Sequence, residues 1–362
     1  MTTSRTGSRE TPSNLIQLPS EGLRHCFLKM MTLGALVPMI WGGMTTSASA
    51  DAQDILEPAA IMPEPAKEDV DTHVRVQIYL DERNFGPGKI DGAIGEFTRK
   101  AVEAYYKSRG IEPVEDWKPI LTAAEKAVPS PYRTYTVKKE DMKYVTSSLP
   151  SSPEAQSKRR YLGYRSIGEF IAERFHTDER FLAKLNKGTI RSIYNIKPGT
   201  EVKVPNVTPF QIEDVPEDAE FLTDPELSTR SVIVDTKVNQ ATFWDSEGKL
   251  IASFPVTPGQ KRFIHYGEWE LLNMHTTPTF RWDKSMLSKG KRSSTYYNLP
   301  SGPNNPVGIF WGGISKPGIG LHGTNSPHTI GRSQSAGCVR FANWDAVRLS
   351  SLIRPGSKVT IQ

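Results

Sequence analysis

The chain is poor in cysteine: 362 residues carry only Cys26 and Cys338. A disulfide-stapled scaffold and a cysteine-based zinc module each need more, so both are excluded. Long hydrophobic runs are also missing. The one extended uncharged stretch is Met30–Ala50, and its apolar part, Met30 to Met44, is short for a membrane span of about 20 residues. Hydrophobic residues at 37% and charged residues at 23% fit neither a multi-span membrane protein nor a wholly disordered chain. What is present is a length that predicts two or three domains, with 28 glycines and 27 prolines to build loops and linkers between them.

Arg24 and Lys29 precede the apolar stretch, and Ala48-Ser49-Ala50 follows it. A basic flank, a short apolar core and small residues are the pattern of an export signal at residues 1–50, cut after Ala50. An uncleaved N-terminal anchor is the other reading. A lipoprotein signal does not fit, because Cys26 lies before the apolar run behind Arg24 and His25. Cleavage leaves one cysteine, Cys338, in a protein expected in the periplasm or at the cell wall. The remaining chain is electrically divided: residues 51–228 have net charge −6 and residues 229–362 net charge +9. A cationic C-terminal third suits an anionic partner, and export points to the cell wall rather than nucleic acid. Membrane contact is expected only through the transient signal.

Residues 51–69 are rich in Pro, Ala and acid and predict a linker. Residues 70–113 follow, with a helical run, a turn at Gly86-Pro87-Gly88, and a second helix beginning near Thr98 with Ala101, Val102, Tyr105 and Tyr106 on one face. The segment resembles the small three-helix peptidoglycan-binding module. Residues 114–131 contain several prolines and predict another linker. Residues 132–207 give strand, helix, helix, strand, with a polar insert at about 145–163 after the first strand. Ser166 and Glu169 form a capping box, and YTVK…LN…IKPGTEVKVP resembles a LysM domain, an α+β unit that binds the N-acetylglucosamine backbone of murein and chitin. Residues 208–228 are acidic and proline-rich and predict a solvated linker. From 229 to 362, short β-rich runs separated by Gly, Pro and Asn predict a mainly-β domain, a sandwich or barrel.

That last domain contains GIGLHGTNSPHTIGRSQSAGCVRFANWD, residues 318–345. A thiol with its ordinary pKa of about 8.5 is mostly protonated at neutral pH. A histidine within hydrogen-bond reach activates it by forming an imidazolium–thiolate pair. His322 and Cys338 are the candidates. Gly323 and Gly337 permit close backbone approach. The backbone N–H groups of Ala336, Gly337 and Cys338 are candidate oxyanion donors. Arg340, two residues past Cys338, falls on the same strand face and either steadies the thiolate or holds a substrate carboxylate. His328 is expected to be a loop residue, and His265 and His275 surface or core residues. Tyr296, Tyr297 and Trp311 either line a peptide groove or pack.

With LPSGPNNPVGIFW before it and GSKVTI after it, the string resembles the catalytic domain of L,D-transpeptidases, the YkuD type, over about residues 229–362. The resemblance implies that Cys338 is the nucleophile, His322 the base, and Gly323 the residue whose carbonyl orients the histidine. Ser335, Gly337 and Arg340 match the remaining motif positions. Ala336 stands where the family usually has histidine; a backbone N–H role survives that change, whereas an imidazole role does not. The implied substrate is the peptidoglycan tetrapeptide stem, with no metal and no cofactor. The acyl acceptor is open: a second stem, water (an L,D-carboxypeptidase) or a protein amine. A non-catalytic murein-binding protein is the reading from a different class.

Overall fold

The computed structural model describes residues 69–112, 116–335 and 337–362. The expected signal and nearly all of the first linker lie outside these residues. Asp69, placed in that linker, is instead the cap of the first helix, where its carboxylate accepts the Thr72 N–H (3.1 Å). Three helices follow: α1 (Val70–Asp81), α2 (Glu96–Ser108) and α3 (Lys118–Ala127). Ala101, Val102, Tyr105 and Tyr106 form the buried face of α2. The third helix lies inside the stretch 114–131 expected to be linker. Pro119 sits in its first turn, where a missing N–H costs nothing, and Ile120 and Ala124 are buried.

The βααβ unit comes next. Strand β1 (Tyr132–Thr136) leads through α4 (Pro153–Ser157), α5 (Ile167–Arg174) and α6 (Glu179–Leu185) to β2 (Glu201–Pro205), which pairs antiparallel with β1. Ser166 caps α5 by accepting the Glu169 N–H (2.9 Å). The return bond of the capping box reaches the Arg165 N–H, one residue earlier than the usual geometry. The insert after β1 packs against the C-terminal domain: the Leu162 N–H donates to Ser301 O (2.8 Å) and the Asn304 N–H to Leu162 O (2.9 Å).

The C-terminal domain is built on one eight-stranded sheet. Its strands are β3 (Ser231–Asp235), β4 (Gln240–Trp244), β5 (Leu250–Pro255), β6 (Gly267–Thr276), β9 (Phe310–Ile314), β10 (Gly320–His322), β11 (Val339–Arg340) and β12 (Lys358–Ile361). They lie in the order β11-β10-β9-β6-β12-β3-β4-β5. Between β6 and β9 an excursion forms a small hairpin, β7 (Phe280–Trp282) and β8 (Tyr297–Leu299), around α7 (Lys284–Lys289). Two short helices, α8 (Asn343–Ala346) and α9 (Leu349–Leu352), follow β11. The mainly-β expectation holds, as a single curled sheet with its own buried core from Val232 to Ile361.

Sheet edges invite unwanted pairing unless covered. On the β5 edge, the turn after α1 supplies the cover: the Gly86 N–H donates to Ser253 O (2.7 Å), and the Ser253 N–H donates to Asn84 O (2.8 Å). The opposite edge, β11, carries Arg340 and adjoins Cys338. One hydrophobic cluster runs through the helical module and the βααβ unit and reaches Leu250, Ile309, Ala342 and Trp344 of the sheet domain. The three modules are therefore packed together. The segment expected to be a solvated acidic linker is a packed strap. Phe210 and Ile212 are buried, the Phe210 N–H donates to Arg174 O, and Glu213 forms an ion pair with Arg174 (2.5 Å). Its apolar residues pull the strap down, and its acid meets a buried cation.

Candidate active site

The floor of the site forms where β10 and β11 run parallel, with His322 paired in register to Arg340. The turn before β11 is shaped by Ser335. Its hydroxyl donates to Cys338 O (2.5 Å) and accepts the Gly337 N–H (3.2 Å). Gly337 has φ +120°, which a side chain resists, and a Cβ on Gly259 would come within 2.6 Å of its Cα. Thr257 pins the strand from the other side through two backbone bonds to Arg340 (2.9 and 3.0 Å). Ser335 thus acts as a clasp on the cysteine turn. Gly337, expected to offer its N–H to an oxyanion, spends it on Ser335. Ala336 lies outside the described residues.

His322 Nδ1 lies 2.6 Å from Gly323 O. The carbonyl can only accept, so Nδ1 carries the hydrogen and Nε2 is left as the basic atom of the ring. Trp311 stacks on the imidazole, with ring centroids 5.6 Å apart at 16°. Burial, and after it the Arg340 guanidinium, push His322 down to about 3. Burial also pushes the Cys338 thiol up, only partly offset by the Gly320 N–H and by Arg340. The sequence reading offered an imidazolium–thiolate pair; these surroundings instead favour a neutral thiol and a neutral imidazole. The thiol also faces Gly318 O at 3.6 Å.

His322, Cys338, Arg340 and Ser335 open into one cleft of about 410 Å³. Its wall is the β7–α7 excursion, which contributes Phe280, Trp282, Met286 and Leu287, together with the cations Arg281 and Arg292. Trp311 and His275 also line it. Tyr297 packs on Trp282 instead (6.1 Å), and Arg281 sits over the Tyr296 ring (3.4 Å). His328 lies in a short turn of 3-10 helix, away from this cleft. His265 precedes β6 and accepts the Trp269 indole N–H at its carbonyl (3.0 Å).

Asn343, which the motif reading passed over, is fully buried behind the histidine. Its Oδ1 accepts the Thr324 N–H (3.0 Å) and its Nδ2 donates to Thr324 O (3.0 Å). The same Nδ2 donates to Glu173 Oε1 (3.0 Å), on α5 of the βααβ unit. Position five residues after Cys338 was the sole sequence clue to Asn343, and Glu173 offered none.

Residues 229–361 match the L,D-transpeptidase catalytic domain, the YkuD family, and residues 169–205 match the LysM domain. These two of the three resemblances read from the sequence are borne out. A Bacillus subtilis (strain 168) relative described as "Putative L,D-transpeptidase YkuD" is 42% identical over 64 residues, covering 18% of this chain and 39% of that protein. A Fuscovulum blasticum relative, "Putative L,D-transpeptidase in ATP synthase subunits region ORF 5", is 26% identical over 157 residues, 43% of this chain and 79% of that protein. The chain spans about two fifths of the length of the Bacillus relative. Among solved structures, an L,D-transpeptidase from Mycobacterium smegmatis is similar at 14% identity, with TM-score 0.31, covering 46% of this chain and 74% of that one.

Proposed function

We propose that the chain is an exported cysteine L,D-transpeptidase acting on peptidoglycan tetrapeptide stems. The observation that carries this reading is the joining of Cys338 and His322 in one cleft, with the histidine tautomer set by Gly323 O so that Nε2 is the base. Cys338 Sγ attacks the carbonyl at the L-centre of the third stem residue, while His322 Nε2 takes the thiol proton. The backbone N–H of Cys338 holds the developing oxyanion. The C–N bond to the terminal D-alanine breaks, and the proton held on His322 passes to the leaving amine. A thioester remains on Cys338. The side-chain amine of a second stem then attacks it; a C–N bond forms, the C–S bond breaks, and the thiol regains its proton.

The neutral resting pair supports this sequence. A neutral imidazole is free to accept the proton over the whole physiological range, and a protonated thiol is spared oxidation outside the cytoplasm. Arg281, Arg292 and Arg340 give the cleft the positive charge that stem carboxylates require, and the aromatic wall covers the peptide. The LysM and helical modules are assigned to the glycan, holding the site against its polymeric substrate.

The test is incubation of the purified chain and its Cys338→Ser variant with tetrapeptide muropeptides, followed by mass spectrometry. Cross-linked dimer with loss of one alanine, absent from the variant, is the expected result. Alanine loss without a dimer assigns the acyl group to water. Unchanged muropeptide, with no covalent adduct after a carbapenem, overturns the enzyme reading.

A further inference from the structure

We propose that Glu173, on the LysM module, is a positioning residue for His322, acting through Asn343 and the Gly323–Thr324 peptide. The inference rests on the reading of His322 and Cys338 as the reacting pair. It makes the wall-binding module a structural part of the catalytic centre.

The chain of contacts starts at the imidazole. His322 Nδ1 donates to Gly323 O (2.6 Å), and this carbonyl belongs to the same peptide unit as the Thr324 N–H. A peptide unit is planar, so holding one end of it fixes the direction of the other. Asn343 Oδ1 holds the Thr324 N–H (3.0 Å), while its Nδ2 holds Thr324 O (3.0 Å). The clamp works only if the amide faces one way, since Oδ1 must accept and Nδ2 must donate. Glu173 decides the direction. Its Oε1 accepts from Nδ2 (3.0 Å), and from the Tyr164 hydroxyl as well (2.9 Å). Both donors converge on one acceptor, and a flipped amide would turn its oxygen toward that acceptor instead.

Space around the amide is tight. A Cβ on Gly308 would lie 2.1 Å from Asn343 Oδ1, and one on Gly323 would lie 2.2 Å from it. Glu173 is itself buried, and an acid buried at a module junction is expensive unless it is used. Burial pushes its carboxyl up to about 8, against the pull of Asn343 and Tyr164. Its uncharged form, which burial favours, accepts from Asn343 through the carbonyl oxygen without bringing a charge toward the imidazole. The substitution Glu173→Gln keeps the size and the acceptor oxygen of this neutral form.

The experiment uses the full chain and two rates near neutral pH: acylation of Cys338 by a carbapenem and its alkylation by iodoacetamide, both read by mass spectrometry. Retention on purified sacculi and thermal unfolding are measured alongside. Glu173→Ala and Asn343→Ala are each expected to slow acylation about 100-fold, as misplacement of a reacting group does. The double variant is expected to be no slower than either single one, because residues acting as one unit are not additive. Glu173→Gln is expected to stay within about threefold of the parent, since it restores the acceptor. Sacculus retention should be unchanged in all of them. If Glu173→Ala unfolds, Glu173→Leu fills the volume without an acceptor and takes its place. Acylation unchanged in the Ala or Leu variant overturns the proposal, as does additivity in the double variant or a Gln variant as slow as Ala. A parent chain that takes no acyl group overturns the proposed function instead, and the alkylation rates then decide the role of Glu173 by the same criteria.

Discussion

Arg340 pulls His322 and Cys338 in ways that can be separated. Its guanidinium opposes a proton on His322 and favours the thiolate of Cys338, so it lowers both groups, adding to the larger effect of burial on His322 and opposing it on Cys338. Replacing Arg340 with Gln keeps a polar side chain and removes the charge. His322 should then rise from about 3 toward its ordinary 6.5, and the Cys338 thiol should rise further. The rate of Cys338 alkylation against pH reports both. In the parent, the imidazole stays neutral well below pH 6.5, while the thiolate limb climbs at alkaline pH. In Arg340→Gln both limbs move to higher pH, and the rate near neutrality falls about tenfold for each unit the thiol rises. Limbs that stay in place would show that Arg340 holds substrate only. The sequence made Cys338 and His322 legible because few side chains can do nucleophilic acyl transfer, and both sit beside glycine in the motif. It could not decide their resting charge, which depends on burial that only the fold supplies.

Short elements hold this site, and glycines set how closely they approach. Strands β10 and β11 span three and two residues, too few to fix a side chain by pairing alone. The Ser335 clasp and the Asn343 clamp do the rest. Gly308 lies where the loop before β9 passes the clamp, at φ +64°, with a Cβ there 2.1 Å from Asn343 Oδ1 and 2.5 Å from Thr324 N. Gly318, at φ +77°, has nothing within 4 Å of such an atom. The pair separates backbone strain from collision. Gly318→Ala should cost about 1–2 kcal/mol, the left-handed penalty alone. Gly308→Ala adds overpacking against a buried amide and should cost at least about 3 kcal/mol. Denaturant midpoints measure both; equal losses would mean that the clamp can shift. None of this was readable beforehand. A single asparagine at the start of a four-residue helix carries no periodicity, and a glycine's neighbours across the fold leave no trace in the local sequence.

At the scale of the molecule, the sequence read a helical region, an α+β unit and a mainly-β domain as joined by linkers, and the structure packs those linkers down. Proline and acid content marked residues 114–131 and 208–228 as linkers, yet Ile120, Phe210 and Ile212 are buried. Composition averages over a window, and one apolar side chain is enough to dock a strap. The modules meet at a buried charge cluster. Asp81 of α1 binds Arg348 of the sheet domain (2.7 Å) and His176 of the βααβ unit (3.0 Å), and His176 stacks on Trp344 (5.3 Å, 10°). Burial alone would raise Asp81, but Arg348 and then His176 overcome it and hold the carboxyl well below the ordinary range. A depressed acid stabilises the fold above its unfolded value of 3.8, and that contribution is lost as pH falls below it toward the lower folded value. Arg348→Met keeps much of the volume and strands Asp81 with His176 alone. Breaking a buried pair from one side typically costs about 3–5 kcal/mol. Because the pair joins α1 to the sheet domain, the loss should appear as a lower denaturant midpoint and, in calorimetry, as unfolding of the helical module ahead of the rest. The loss of stability expected of the parent below pH 4 should flatten in the variant, since Asp81 has less to lose on protonation. An unchanged midpoint with one cooperative transition would leave the shared hydrophobic cluster as what binds the modules into one body.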